Sequence, residues 1–429
     1  MQMSLAISNN PYWWDSAPLD RHDALPIVPR VDVAIIGAGY AGMTAALFLA
    51  RAGRSVQVFD RERPGEGASS RNGGITSGNI RASASTLARR FGADKAADIA
   101  KEGALARQWL ADFINEEAID ADLQRVGRFS GALSVADYEL QARGADALAR
   151  DLGVEAFAVT KAEVGKYLST DFYSGGVVRM DIGGLHPAKF HAGLVALATK
   201  AGAVVQGCCR VERVKQSGDG YLISSSRGEC VARNVIIATN GYTDHFDRWL
   251  RQRLVPVRSR IIATVPLGKE TVRRLVPQLM MLTDSRELSY YYRPSPDGTR
   301  ILFGGRDGTV MGESQAPTDH LRRELGRVFP ELSSVEISHS WYGYVGMNRD
   351  MVPRVFTRDG KRYGTGFCGS GVVWAPWVGK KLADQLVGKP HSGTAFDFRP
   401  PGLVPTIAGK SWFMPLVFMI KEWQDRKKQ

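Results

Sequence analysis

Three observations place the chain in the α/β class, α+β over its whole length. Residues 31–36 are a β-branched run closed by Gly37 and followed at once by a helix-forming stretch. Residues 55–59 are a second such run, ending at Asp60, and the second half alternates strand-like segments with tight turns. Together they predict a Rossmann-like domain, a second domain built on an antiparallel sheet, and a helical cap. At roughly 150 residues per domain, a chain of 429 residues has room for two or three. With 44% hydrophobic and 23% charged residues, disorder is excluded as a general description.

Residues 1–30 carry Pro11, Pro18, Pro26 and Pro29 and read as an irregular arm. The first part of the nucleotide-binding domain is assigned to 31–81, with a helix running from Met43 to a glycine cap at Gly53 between its two strands. Residues 82–168, rich in Ala, Leu, Asp, Glu and Lys, predict helices at 94–119 and 138–152 around a strand at 129–135, and are taken as the cap. Residues 169–250 return to the first domain through a helix at 186–201 and strands at 203–206, 209–215, 221–226 and 232–238. The antiparallel domain, 251–350, predicts strands at 257–266, 287–293, 299–304 and 335–345, with the turn Ser295-Pro296-Asp297-Gly298 and a helix at 318–328. Residues 351–395 complete the first domain with a strand at 363–368 and a helix at 376–387, and 396–429 form a tail.

The 56 Lys and Arg against 44 Asp and Glu leave +12, open to nucleic acid, an anionic membrane surface, an acidic ligand or plain solubility. Cys208, Cys209, Cys230 and Cys368 form no C-x-x-C pair, so a zinc site, any other metal site and a disulfide framework are not expected. No basic segment with an apolar core opens the chain, and no run of about 18 apolar residues exists. A cytoplasmic location is the expectation.

Gly37-Ala38-Gly39-Tyr40-Ala41-Gly42 lies between strand and helix. The first glycine permits the tight turn, the second lets backbone approach a pyrophosphate, and the third lets the helix pack with its positive end toward the anion. Asp60, 18 residues after Gly42, stands where a carboxylate accepts both hydroxyls of a ribose. These features predict dinucleotide binding, against a glycine-rich turn in an unrelated α/β protein. An acid at this place makes a 2′-phosphate the least favoured ligand, although Arg61 and Arg63 stand beside it. Three later small-residue turns favour FAD over NAD: Gly67 to Gly74, with Ala68, Ser69, Ser70, Arg71, Asn72 and Gly73; Thr239-Asn240-Gly241; and Gly369-Ser370-Gly371-Val372. Such turns suit one long cofactor threaded across a domain, the last helix start offering N–H groups to an anionic ring edge. Val211 completes the expected contacts.

In order and spacing, Tyr12-Trp13-Trp14-Asp15, the 68–74 turn, Leu185-His186-Pro187, Leu302-Phe303-Gly304-Gly305-Arg306, Trp341 with Pro353, and the 366–371 turn resemble the D-amino-acid oxidase superfamily of FAD enzymes, most similar to amine oxidases of the γ-glutamylputrescine oxidase kind. The resemblance implies a two-domain flavoprotein whose antiparallel sheet roofs a small-molecule amine over the flavin. It implies hydride transfer from the carbon bearing nitrogen, hydrolysis of the resulting imine to aldehyde plus amine or ammonia, and reoxidation by molecular oxygen to hydrogen peroxide. Departures matter too. The acid is Asp60 where the family usually has Glu, and Ser370 stands where a His often precedes the final glycine. The slot for a carboxylate-clamping Arg falls within 342–345, which holds none, favouring an amine without an α-carboxylate. With no His at 60–80 and no Cys at 335–355, the FAD is expected to be non-covalent. Cys368 reads as a small apolar residue at a strand end.

Aromatic residues at 290–292, 341–344, 374 and 377 supply a candidate substrate wall, of which Tyr292, Tyr344 and Trp374 are chosen; the competing reading is core packing. His186 reads as a helix cap and His191 as structural. Alternatives are an oxidase of N-methyl or other amino acids, a membrane-associated amine dehydrogenase passing electrons to a quinone, and a nucleic-acid-associated flavoprotein using Arg248, Arg251, Arg253, Arg258 and Arg260. No nucleic-acid motif supports the last. The apolar stretch 412–420, followed by Lys421 to Lys428, reads as docking on its own domain or a second subunit, with peripheral membrane contact through 412–428 as the alternative. The sequence leaves the oligomeric state open.

Overall fold

The computed structural model describes residues 6–20, 25–80, 82–307, 315–405 and 411–428. Parts of the expected arm and tail, and the boundary at 81, lie outside the described residues.

The first sheet has eight strands. Its parallel centre sets Val204–Gln206, Val56–Phe59, Arg30–Ile36, Gly228–Ile237 and Lys361–Thr365 side by side. Arg354–Arg358 closes one edge antiparallel, and the hairpin of Val211–Ser217 with Gly220–Ser225 pairs onto Gly228–Ile237. Val33, Ala34, Ile35 and Ile36 are all buried, as a β-branched strand covered on both faces must be. The register pairs Ile36 with both Phe59 and Ile237. Three strand ends therefore arrive together, which brings Gly37, Asp60 and Ala238 to one edge.

The helices Tyr40–Arg51, Pro187–Lys200 and Gly371–Leu386 pack on this sheet in one core with Ala93–Glu116. The last helix begins at Gly371, not at 376: Pro376 lies inside it. Burial of Val372, Val373, Trp374 and Ala375 holds that first turn helical although Pro376 lacks an N–H.

The second sheet also has eight strands, in the order Ile337–Met347, Val255–Thr264, Ile301–Arg306, Tyr291–Pro294, Met281–Asp284, Arg128–Gly131, Gly175–Arg179, Ala156–Thr160. All neighbours are antiparallel except Met281–Asp284 with Arg128–Gly131. Its outer face packs under the helix Gln315–Val328 around Phe303, Leu321, Leu325 and Phe329.

Residues 82–168 do not form a separate helical cap. Ala93–Glu116 turns Ile99, Ala106, Leu110 and Phe113, spaced as one helical stripe, into the core of the first sheet. Arg128–Gly131 and Ala156–Thr160 join the second sheet, with Val135–Leu152 beside them. Gly175–Arg179, within the segment assigned to the first domain, is likewise a strand of the second sheet.

Candidate cofactor and substrate site

A cavity of about 650 Å³ opens where the parallel strand ends face the second sheet. The glycine turn is part of its wall. Gly37 takes φ +104°, and a Cβ there would lie 2.9 Å from the Ala238 carbonyl oxygen; one on Gly42 would lie 1.9 Å from the Gly37 carbonyl oxygen. Neither place admits a side chain: bare Gly37 backbone faces the cavity, and Gly42 packs behind it against the Gly37 carbonyl where the helix Tyr40–Arg51 begins. Tyr40 N–H donates to Ser69 Oγ at 3.0 Å, and the Ala38 carbonyl accepts from His191 Nε2 at 2.7 Å.

Asp60 holds the same turn. Its Oδ2 accepts from Ala38 N–H at 2.8 Å and its Oδ1 from Glu62 N–H at 3.0 Å. Burial pushes this carboxyl up to about 6, opposed by the two backbone hydrogen bonds. Ligand hydroxyls donating to it would favour the ionised form. Arg61 is already paired with Asp244 at 3.2 Å and Arg63 with Glu66 at 2.8 Å.

Three indoles fasten the loop after the second strand. Trp13 donates to the Asn72 carbonyl at 2.8 Å, Trp14 to Ser70 Oγ at 2.9 Å, and Trp341 to the Arg71 carbonyl at 2.8 Å. Asn72 folds back on its own turn, donating to the Ser69 carbonyl at 2.9 Å and accepting from Gly74 N–H at 2.8 Å. The Tyr-Trp-Trp-Asp motif thus works as an anchor. Late turns complete the wall: Asn240, at φ +44°, accepts from Gly366 N–H at 2.9 Å, and behind the lining Ser370 Oγ donates to the Asn79 carbonyl at 2.7 Å.

Of the expected cofactor residues, Gly37, Gly39, Tyr40, Ala41, Asp60, Arg61, Ala68, Ser69, Arg71, Asn72, Val211, Thr239, Asn240, Gly369, Gly371 and Val372 line this cavity. Gly42, Ser70, Gly73, Gly74, Gly241 and Ser370 stand behind the lining. Ser70, for example, is fully buried and donates to the Gly65 carbonyl at 2.8 Å.

The substrate-wall candidates divide. Tyr344 lines the cavity, with Tyr242 and Tyr342 in edge contact with it. Tyr292 does not. Strand alternation sends it to the outer face of the second sheet, where its hydroxyl bonds Tyr173 at 2.8 Å among Phe303 and Phe329. Trp374 is fully buried against Phe396 in the first core. Its helix begins earlier than the sequence suggested, and of its first residues Gly371, Val372 and Ala375 line the cavity while Trp374 does not.

Arg258 and Arg260 are not part of a basic surface stripe. Arg260 is 2% exposed and lines the cavity, bonded to Ser340 Oγ at 3.2 Å and 3.7 Å from Asp307. Arg258 pairs with the same Asp307 at 2.5 Å and lies over the Tyr342 ring. Composition alone could not distinguish these two from the exposed Arg248 and Arg251; their spacing of two on a mostly apolar strand was the available signal. His186 caps its helix, accepting from Lys189 N–H at 3.2 Å, and burial takes it down to about 4.

A side-chain-free turn at a helix start, a carboxylate at the end of the adjacent strand and a second helix start in the wall of the same cavity suit a long dinucleotide. The fold and this cradle define a flavoprotein oxidoreductase. The chain belongs to the DAO family of FAD-dependent oxidoreductases, whose family model matches residues 32–385. It is 31% identical over 428 residues to a probable oxidoreductase OrdL of Rhizobium meliloti, covering 96% of each chain. Gamma-glutamylputrescine oxidoreductase of Escherichia coli is 27% identical, with 90% of each covered. Among solved structures, glycine oxidase from Geobacillus kaustophilus superposes with a TM-score of 0.73 at 21% identity, over 89% of this chain and 100% of that one.

Proposed function

We propose that this FAD-dependent oxidoreductase oxidises the C–N bond of a small or acylated amine that carries its own carboxylate away from the reacting nitrogen. When bound, FAD supplies a two-electron acceptor for hydride from the carbon bearing nitrogen. Gly37, Gly39, Asp60, Ser69, Asn240 and Gly371 are the residues we assign to holding it. The product imine hydrolyses to an aldehyde plus amine or ammonia, and molecular oxygen takes the electrons to give hydrogen peroxide. The names of two relatives, a gamma-glutamylputrescine oxidoreductase and a glycine oxidase, support nitrogen-bearing substrates.

One observation carries the substrate class: the cavity wall combines aromatic Tyr242 and Tyr344 with the Arg260 guanidinium. Arg258 and Arg260 both pair with Asp307, and Arg260 also reaches Ser340 Oγ. A guanidinium in the wall suits an anionic group on the substrate better than a bare polyamine, while the Tyr344 face is suited to an amine. The empty clamp slot at 342–345 therefore does not leave the site without a guanidinium.

The test is a substrate panel on the purified holoenzyme: polyamines, primary amines with and without a terminal carboxylate, N-methyl amino acids and D-amino acids. Peroxide is scored in air and flavin bleaching without oxygen. Preference for the carboxylate-bearing amine is expected. Turnover of α-amino acids alone would refute the amine assignment, and bleaching without peroxide would refute oxygen as the acceptor. Acid should release free FAD.

A further inference from the structure

The tail forms a helix, Met414–Arg426, that lies on the protein with its polar side inward. Asp425 is buried and accepts from Glu287 N–H at 2.6 Å and Leu288 N–H at 3.0 Å; Lys421 pairs with Glu287 at 2.6 Å, and Lys428 donates to the Ser285 carbonyl at 3.0 Å. Phe413, Met414 and Phe418 fill the remaining seam beside Val255, Val257 and Met347. These anchors fix the helix's rotation and leave the opposite face outward. That face carries Trp412, Leu416, Met419, Ile420 and Trp423, exposed at 60, 56, 57, 47 and 55%. Their spacing makes one continuous helical stripe, and its next positions are the exposed Arg426 and Lys427.

We propose that this stripe docks the protein on an anionic lipid surface, the helix lying in the plane of the interface. The apolar run begins and ends with Trp, the residue that settles at headgroup level, and it continues into two cations on a chain whose net charge is +12. A second copy fits less well. A helix of 13 residues is about 20 Å long, and a stripe about 10 Å wide covers far less than the roughly 800 Å² per partner of a stable dimer. No helix among the described residues is long and apolar enough to cross a membrane, so contact is peripheral.

Flotation of the full-length holoenzyme with vesicles tests this. Binding is expected to phosphatidylcholine vesicles containing phosphatidylglycerol, weaker to phosphatidylcholine alone, and reduced by salt. The combined variant Leu416→Ser, Met419→Ser, Ile420→Ser should lower the bound fraction at least tenfold with flavin content and melting unchanged, because these side chains touch little of the fold. Arg426→Gln with Lys427→Gln should remove the preference for the anionic vesicles. Wild-type protein that does not float, or a variant that floats as well as wild type, overturns the proposal. So does a solution dimer that the triple variant converts to monomer, which would assign the stripe to a second copy.

Discussion

The two eight-stranded sheets face one cavity and contribute to it by different means. The parallel sheet contributes backbone: strand ends, a glycine turn and helix starts, all within a few residues of one edge. The antiparallel sheet contributes side chains, and which ones is decided by alternation along each strand. Sites built from backbone fail when a side chain is added; sites built from side chains fail when one is removed.

The largest effect should come from adding an atom to the first sheet. Gly42→Val drives a Cβ toward the Gly37 carbonyl, already 1.9 Å from an ideal Cβ. Protein purified without a visible flavin band, yet folded by circular dichroism, is expected; a normal flavin content would show that the turn yields. Next in size is Trp13→Ala. It empties a fully buried site and releases the Asn72 carbonyl, so a loss of about 3–5 kcal/mol is expected in denaturant melts, together with weaker flavin retention. A loss of stability with flavin affinity unchanged would separate the arm from the cofactor loop.

Asp60 gives a pH signature in flavin-free protein. Its folded-state carboxyl is raised to about 6 from an ordinary 3.8, so the stabilisation is full below the ordinary value and lost as pH rises through the folded one. Relative to Asp60→Asn, wild-type apoprotein should therefore lose at most about 3 kcal/mol between roughly pH 4 and 6. Parallel stability curves would refute this. Flavin affinity, which calls on the ionised acid, should rise over the same interval. The smallest effects distinguish the two faces of the second sheet. Tyr344→Leu should raise KM by about tenfold, equivalent to about 1.4 kcal/mol, and leave the melt unchanged. Tyr292→Phe should lower stability by about 1 kcal/mol through loss of its bond to Tyr173, with KM unchanged. Exchange of those two outcomes would reverse the assignment of faces.

The same contrast explains what was legible in the sequence. Gly37 to Gly42, Asp60 and the later small-residue turns mark the first sheet because each acts through local backbone geometry, so their spacing carries the information. The second sheet depends on register between distant strands, and one residue of slip moves a side chain to the other face. Tyr292 was misplaced for that reason. The strands Gly175–Arg179 and Met281–Asp284 went unread because each is short and buried, without the alternation that marks a strand with one solvent face. Arg260 was visible only as a charge, since burial beside Asp307 is set by pairing across three strands.

The N-terminal arm has a consequence for synthesis. Ser8 exchanges backbone hydrogen bonds with Ser338 and Ser340 on the strand Ile337–Met347, far along the chain, while Trp13 and Trp14 close on the loop around Ser70 and Asn72. This segment, made long before Ile337–Met347, must wait for that strand before it can seat. A nascent chain would thus hold Trp13 short of its full burial until Trp341 has been made, and that burial would report the closing of the molecule.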